Sequence, residues 1–388
     1  RISTALSNNK ALLDDLRDIE REQREQANTI RKEKAITLCS ELQSTNGRNA
    51  LRRFAKTNQL ADPSNKKILQ PDLLPPEEKQ NHLQLWDSLW NKPFADPALR
   101  EWLNGPNSGP DTEAAPWSQR QAKSIAKPIS LDEVKKAIQR LPNNRSPGAA
   151  SAIAEIYKLA PDSILSHLRD TFNHILTNLT YPSSWQTTQL ILINKQPPPE
   201  VPGNYRPINL TETPFRIFEK VLNRRMTKWA DWMLKPNQFG FRMKRGTTEL
   251  LLTLQSIIQN ARATRRHLYI TNLDMKKAYD SSPQDLVIKS LAHHGLNKRS
   301  CRILQTILAN HTARCGPEQA EFQIPIKSGV LQGSILSPCE FNFFINDIAL
   351  DNPEHCVNIR EDPPYEVSNV AYAADLPLLS NKPAHPQP

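Results

Sequence analysis

The chain has 388 residues, enough for two or three domains, and 50 lysines and arginines against 40 acidic residues give a net charge of +10. This balance permits a polyanionic partner without requiring one. Five cysteines without metal-type spacing argue against a zinc finger or a disulfide framework and favour a reducing compartment, and no apolar run approaches the roughly 18 residues of a membrane span.

The first third of the chain is predicted to be helical and then proline-rich. Residues 10–43 are predicted to form a charged helix with an intermittent apolar stripe, which is expected to dock on the rest of the chain or, alternatively, to pair as a coiled coil. Residues 48–125 are irregular apart from one short amphipathic helix. Its apolar positions are Leu85, Trp86, Leu89 and Trp90.

Helices and strands then follow each other. Ser130 and Glu133 have the spacing of a capping box before a helix that Pro142 ends. A second helix is predicted at 162–179 and a branched, apolar strand at 189–195.

An extended segment at 204–210 leads to a helix that starts at Thr213 and Pro214, and a further helix begins at Gly246. Between residues 205 and 246 the chain has ten basic and three acidic side chains, a net charge of +7. This density suits binding to phosphates, although a solvated helix face is the alternative interpretation.

An acidic residue ends the next strand. Leu268, Ile270, Asn272 and Asp274 fall on one face at period two, which predicts a buried strand with a carboxylate at its end. A carboxylate in such a position suits a hard cation such as Mg²⁺. A helix N-cap is the alternative role for this aspartate.

The remaining chain predicts two helices, a strand, a loop that feeds a third helix, and a hairpin, at 283–294, 298–310, 322–326, 329–338 and 370–379, respectively. Asp375 lies at the tip of the hairpin. Strands interrupted by helices without regular βαβ alternation predict an α+β domain.

Five motifs in chain order resemble one family. They are Asn204-Tyr-Arg-Pro-Ile, Gln238-Phe-Gly-Phe-Arg, Leu273-Asp274-x-x-x-Ala-Tyr279-Asp280, Gly329-Val-x-Gln332-Gly333-x-x-Leu-Ser-Pro338 and Phe341-Asn-x-Phe-Ile-Asn-Asp347. Together they resemble the reverse transcriptases of non-LTR (LINE-type) retrotransposons, from about residue 127 onward. The resemblance therefore implies an RNA-directed DNA polymerase.

The family resemblance implies a right-hand polymerase fold of the α+β class. Fingers are expected at about 127–265 and palm at about 266–388, after an N-terminal helical and proline-rich extension at 1–126. The sequence stops nine residues after Leu379, so most of the thumb is expected to be absent. The start at Arg1 rather than methionine suggests part of a longer polypeptide.

The resemblance assigns catalytic and metal-binding roles to Asp274 and Asp375, which would hold two Mg²⁺ ions in an intact site. Hard cations of this kind require oxygen ligands. Tyr279 matches the steric gate that excludes ribonucleotides, and its alternative role is that of a core aromatic residue.

Four further residues match nucleotide-binding positions. Gln332 and Gly333 correspond to the loop that lines the nascent base pair, although an ordinary turn would also use glycine. Lys195 and Arg206 correspond to finger cations that bind the triphosphate.

The basic segment would follow the backbone of the RNA template. Its predicted nucleic-acid-binding residues are Arg224, Arg225, Arg242, Lys244 and Arg245. The implied partners are an RNA template, a DNA primer and deoxynucleoside triphosphates, in a ribonucleoprotein of the nucleus or cytoplasm. The sequence predicts no membrane partner and no particular oligomeric state.

The chain departs from the family at its hairpin, which reads Tyr372-Ala-Ala-Asp375 where the family has Tyr-Ala-Asp-Asp. Ala374 thus replaces a metal-binding aspartate, and Met275 offers no oxygen in compensation. Ala150 replaces a second aspartate, and Pro377 removes a backbone donor from the hairpin. These differences favour a partial or degenerate copy with impaired catalysis. The alternatives are a catalytically dead RNA-binding module and an inactivating change introduced into a working enzyme.

Overall fold

A computed structural model describes most of the chain after residue 75. The described residues are 76–104, 114–121, 123–148, 153–195, 201–309, 311–315, 322–346, 356–361 and 364–382. The helix expected at 10–43 and the positions of Ala150 and Asp347 lie outside them.

Helices form nearly half of the described part of the chain. They are α1 (Pro76–Trp90), α2 (Pro97–Asn104), α3 (Leu131–Gln139), α4 (Ala154–Leu159), α5 (Asp162–Asn178), α6 (Thr213–Met233), α7 (Thr247–Ala263), α8 (Ala278–Ser281), α9 (Gln284–His293), α10 (Lys298–Leu308) and α11 (Ser337–Asn346). Within the described residues, no helix is both long and apolar enough to cross a lipid bilayer.

Within the described ranges, the strands form three separate sheets. They are β1 (Thr187–Asn194), β2 (Tyr205–Leu210), β3 (Tyr269–Asp274), β4 (His311–Cys315), β5 (Phe322–Ile326), β6 (Val357–Glu361), β7 (Pro364–Val367) and β8 (Asp375–Ser380). The largest sheet has the order β2-β1-β4-β5, and the other two pair β3 with β8 and β6 with β7. The chain is therefore of the mixed α+β class, as the sequence predicts.

Local chemistry explains where several helices start. The Ser130 hydroxyl accepts a hydrogen bond from the Glu133 amide, and the Glu133 carboxylate accepts one from the Ser130 amide, so the predicted capping box is confirmed. Pro214 lies in the first turn of α6, where its missing N–H would have had no helical partner. The Asn297 side chain caps α10 by accepting a hydrogen bond from the Ser300 amide.

The four-stranded sheet buries one face against α1. Strand β1 alternates between buried and half-buried residues, and Leu190 and Leu192 point into a cluster that includes Trp86 and Trp90. The predicted helix around these tryptophans is thus confirmed.

The main core forms around α6. Phe215, Phe218 and Leu222 are buried in one apolar cluster together with residues of α3, α5, α9, α10 and α11. Leu99 and Leu103 of α2 belong to the same cluster. Parts of the proposed N-terminal extension therefore pack into this core, and the domain boundary near residue 126 stays a prediction.

The strand that ends at Asp274 differs from its prediction. All six residues of β3 are exposed, including Tyr269 at 41%, Ile270 at 43% and Leu273 at 40%. The expectation of a buried strand is wrong because, in the described part of the chain, β3 pairs only with β8 and lies at a sheet edge. Strands β4, β6 and β7 were not predicted from the sequence.

Candidate active site

Two carboxylates face each other at one end of the β3–β8 sheet. Asp274 and Asp375 are direct partners in the antiparallel register, and both are exposed. Side chains of directly opposed residues lie on one face, with Cβ atoms about 4.5–5.5 Å apart. Their side-by-side placement agrees with the sequence analysis, whereas their role as metal ligands stays a prediction.

A two-residue turn precedes Asp375. Tyr372 and Asp375 exchange both backbone hydrogen bonds, at 2.9 and 3.1 Å, so Ala373 and Ala374 form the tip of the hairpin. The predicted hairpin therefore exists, with Asp375 beginning β8 directly after the tip. Ala373 has a φ of +54°, a left-handed conformation that non-glycine residues seldom adopt.

The loop between β5 and α11 contacts β2 closely. The Asn209 amide donates a hydrogen bond of 2.6 Å to the Gln332 carbonyl. Gly333 has a φ of +127°, and a Cβ atom at this position would lie 2.3 Å from the Asn209 carbonyl oxygen. Glycine is thus required at 333 by backbone conformation and by the approach of β2.

Asp280 connects this loop to α1. Asp280 is 2% exposed, and its carboxylate accepts hydrogen bonds from the Trp90 indole at 3.1 Å and from the side-chain amide of Gln332 at 2.9 Å. Burial raises the pKa of Asp280 to about 6, although these hydrogen bonds and the nearby Lys277 favour the charged form. Asp280 therefore fixes the orientation of the Gln332 side chain.

A group of lysines lies beside Asp280. The Lys277 ammonium donates to the Gly203 and Tyr205 carbonyls and lies 4.6 Å from the centre of the Trp86 ring. Burial lowers the pKa of Lys277, and the neighbouring Lys195 acts in the same direction. The backbone of Lys195 bonds to Asn204, which closes the β1–β2 hairpin, and its side chain is exposed.

The other two predicted nucleotide-binding residues differ in exposure. Arg206 is exposed on β2 opposite Ile193. Tyr279 is half-buried, stacks on Phe341 at 4.6 Å and contacts Phe241 edge-on at 6.4 Å. These contacts suit a core aromatic residue as well as a steric gate, so its function stays a prediction.

Two buried glutamates lie under the loop that carries Gln332. The Glu219 carboxylate accepts hydrogen bonds from the Ser334 hydroxyl and the Ile335 amide. Glu340 is 1% exposed, and neither of its carboxylate oxygens has a hydrogen-bond partner in the described part of the chain. Burial and the adjacent Glu219 raise the pKa of Glu340 to about 8, and burial raises that of Glu219 to about 7.

Two of the predicted RNA-binding arginines hold parts of the chain together. Arg225 donates to both Glu133 oxygens and to the carbonyls of Ile125, Lys127 and Pro128. Arg242 donates to the Asp231 side chain and backbone and to two further carbonyls. These bonds direct both guanidinium groups toward the protein.

The other three predicted cations are more accessible. Arg224 and Lys244 are exposed, and Arg245 is half-buried with its guanidinium 5.8 Å from the centre of the Phe239 ring. The RNA-binding role of all five residues stays a prediction.

The residues present supply only part of a divalent-metal site. Asp274 and Asp375 provide oxygens, but the methyl group of Ala374 and the thioether of Met275 provide none. In the described ranges, no group of three or more histidine, cysteine, aspartate or glutamate side chains could hold a metal ion. The pair fits one cation through an incomplete ligand set, and it does not supply the ligands for two.

Three residues of this site were given no site role in the sequence analysis. Lys277 and Asp280 lie within the Asp274 motif. Their charges close to the end of a predicted strand were a signal that could have identified them as site residues. Trp90 lies more than 180 positions from its partner Asp280, and no sequence spacing predicts that contact.

Comparison with known proteins identifies the family of the chain. The reverse transcriptase (RNA-dependent DNA polymerase) family matches residues 193–387. The RNA-directed DNA polymerase from mobile element jockey of Drosophila melanogaster is 28% identical over 65% of this chain. The Pol polyprotein of retrotransposable element R2 from Popillia japonica is 28% identical over 52% of it. The chain spans only 27% and 28% of the length of these two relatives.

A solved structure of apo telomerase from Candida tropicalis, truncated from its C-terminal domain, is 13% identical and covers 57% of this chain and 49% of its own, with a TM-score of 0.38. The family match covers half of the chain and includes all five motifs that carry the resemblance. The chain belongs to the reverse transcriptase (RNA-dependent DNA polymerase) family, with relatives encoded by non-LTR retrotransposons.

Proposed function

We propose that this chain is the fingers and palm portion of a retrotransposon reverse transcriptase, and that its nucleotidyl transfer is impaired. The observation that carries the proposal is the register that sets Asp274 opposite Asp375 beside the alanine-containing turn. A divalent cation at such a pair supplies Lewis-acid stabilisation of phosphate charge. With Ala374 in the turn, the pair offers that cation too few oxygens.

The remaining parts of the proposed site belong to the chain itself. Lys195 and Lys277 provide positive charge for a triphosphate, and Asp280 orients the side chain of Gln332 within the loop that would contact a base pair. Arg206 extends this positive surface along the β1–β2 hairpin. The proposed substrates are an RNA template, a DNA primer and deoxynucleoside triphosphates.

Primer extension on an RNA template with Mg²⁺ tests the proposal. We expect incorporation close to background, because a missing metal ligand is expected to cost more than the roughly 10–100-fold that loss of an outer-shell partner costs. Any residual incorporation should disappear in the Asp274→Asn variant. Robust extension by the unchanged chain would contradict the proposed impairment.

An RNA-binding role without catalysis is the second candidate, and a feature of α6 favours it. A basic stripe about 18 Å long runs along one face of α6. It consists of three cations and a terminal tryptophan at intervals of four residues, namely Lys220, Arg224, Lys228 and Trp232. Trp232 is 87% exposed, and in the described part of the chain no ion pair engages Arg224 or Lys228. Exposed cations next to an exposed indole suit phosphates and stacked bases of a single strand.

The salt dependence of RNA affinity tests the basic stripe. Replacing Arg224 and Lys228 with glutamine should weaken binding to single-stranded RNA and reduce the slope of log affinity against log salt by about 0.7 per lost contact. The measurement is fluorescence anisotropy with a labelled oligonucleotide at several salt concentrations.

A matched pair of variants controls for net charge. Lys135 and Lys136 are also partly exposed on a helix, but they pair with Asp162 and Asp132. Replacing both with glutamine removes the same charge and should leave the salt slope unchanged. Equal slopes for the two double variants would rule out the basic stripe as the RNA-binding surface.

A further inference from the structure

The Gln238-Phe-Gly-Phe-Arg motif lies against the hairpin that carries Asp375. Gln238 forms a parallel bridge with Ala371, the Phe239 amide donates to the Ala371 carbonyl at 2.8 Å, and the Ala371 amide donates to Asn237 at 2.8 Å. The motif thus acts as a short strand along the edge of the hairpin that does not face β8. The family resemblance alone does not assign a role to the Gln238-Phe-Gly-Phe-Arg motif.

The Gln238 side chain reaches the turn itself. Its Oε1 atom accepts hydrogen bonds from the Ala373 amide at 3.0 Å and from the Gly240 amide at 2.9 Å, and Gln238 is only 4% exposed. Its Nε2 atom donates a weaker bond of 3.4 Å to the Ala373 carbonyl. Both backbone groups of Ala373 are therefore bonded to one buried side chain.

These contacts coincide with the strained residue of the turn. Ala373 has a φ of +54°, which costs free energy for a residue with a Cβ atom. A Cβ atom on Gly240 would lie 2.4 Å from the Ala373 nitrogen, so only glycine lets the motif approach this closely. The Asn342 side chain bonds the Gly240 carbonyl at 2.8 Å and holds the motif from the other side.

We infer that Gln238 is a positioning residue, which keeps the Ala373 turn in its left-handed conformation and so sets the Asp375 carboxylate against Asp274. The inference concerns the geometry of the turn, and only its consequence for nucleotidyl transfer rests on the proposed function. The amide oxygen of Gln238 carries the effect, because it accepts the two shorter bonds. A buried amide N–H that loses its acceptor destabilises the conformation that contains it.

Amide hydrogen exchange of the purified chain tests the inference without RNA, nucleotide or metal. Gln238→Leu should accelerate exchange at Ala373 and in the hairpin at 369–376 by about tenfold or more, with little change in β1 and β2. Gln238→Glu keeps an acceptor oxygen at the same position and should retain most of the protection. Gln259→Leu, on the exposed face of α7, controls for the added apolar side chain.

A double variant separates this role from a general contribution to stability. Glycine adopts positive φ without strain, so Ala373→Gly should recover part of the protection lost in Gln238→Leu, and the two changes should not be additive. Mn²⁺ binding to the Ala374→Asp variant provides a second readout, and adding Gln238→Leu should weaken it.

Two results would overturn the inference. One is unchanged exchange of the hairpin in Gln238→Leu, and the other is faster exchange that is uniform over the whole chain and is not relieved by Ala373→Gly. Either result would leave the proposed polymerase function standing, since primer extension measures that separately.

Discussion

Replacing Glu340 with leucine should stabilise the chain by about 3–5 kcal/mol at pH 8. Glu340 is buried in the main core next to Tyr279 and Phe341, without a hydrogen-bond partner in the described residues for either carboxylate oxygen. Leucine has a similar volume and removes both the desolvation cost and the repulsion of Glu219. Urea unfolding monitored by circular dichroism measures the change.

The sign of the pH dependence follows from the raised pKa of Glu340. In the unfolded chain this carboxyl ionises near its ordinary pKa of 4.5, whereas in the folded chain its pKa is about 8 and it retains the proton up to that pH. The folded state thus binds more protons in this interval, so the free energy of unfolding falls as pH rises from about 4.5 to 8. The advantage of Glu340→Leu should grow over this range and then level off.

Two further variants make this prediction specific. Glu340→Gln removes the charge but leaves unpaired polar atoms, so it should remove the Glu340 contribution to the pH dependence, leave those of Glu219 and Asp280, and give a smaller gain in stability. Glu101→Leu, on an exposed position of α2, should change stability by less than about 0.5 kcal/mol. A loss of stability in Glu340→Leu would mean that the carboxylate has a bonding role in the folded protein.

Ala374→Asp should strengthen Mn²⁺ binding by at least about 10–100-fold. The new carboxylate would lie in the turn between Tyr372 and Asp375, next to the pair that Asp274 completes. Three carboxylates repel one another without a cation, so the variant should also gain more thermal stability on Mn²⁺ addition than the unchanged chain does. Isothermal titration calorimetry and thermal melts at several Mn²⁺ concentrations measure the two effects.

The ligand set can be tested by removing its other members. Asp375→Asn in the Ala374→Asp background should cancel most of the gain, and Ala374→Asn should produce a smaller gain than Ala374→Asp because its oxygen is uncharged. If Ala374→Asp leaves Mn²⁺ affinity unchanged, the hairpin does not direct residue 374 toward the acid pair, and the proposed metal site is wrong.

The sequence predicted local structure well where interactions between residues close in the sequence determine it. The capping box of α3, the proline start of α6 and the alternation of β1 depend on neighbouring residues, and they appear in the structure as expected. The burial of β3 depends on what packs against it from distant parts of the chain. Its apolar alternation therefore predicted a strand correctly and its environment wrongly.

The candidate site shows the same division. The motifs identified Asp274, Asp375 and Gln332 because each lies in a short pattern that resembles a motif of the family. The Trp90–Asp280 contact and the bonds from the Ala373 turn to Gln238 join residues far apart in the sequence, through single side chains. Such contacts leave no periodic signal, so only the fold reveals them.

The Trp90–Asp280 bond has a practical consequence for trimming the protein. A recombinant fragment limited to the family match at 193–387 would lack α1 and would remove the indole donor from a buried carboxylate. It would also lack Leu190 and Leu192, and it would uncover Tyr205 and Ile324, which pack in one cluster with Trp86 and Trp90. Truncations intended to remain folded should therefore start ahead of Pro76, well upstream of the first polymerase motif.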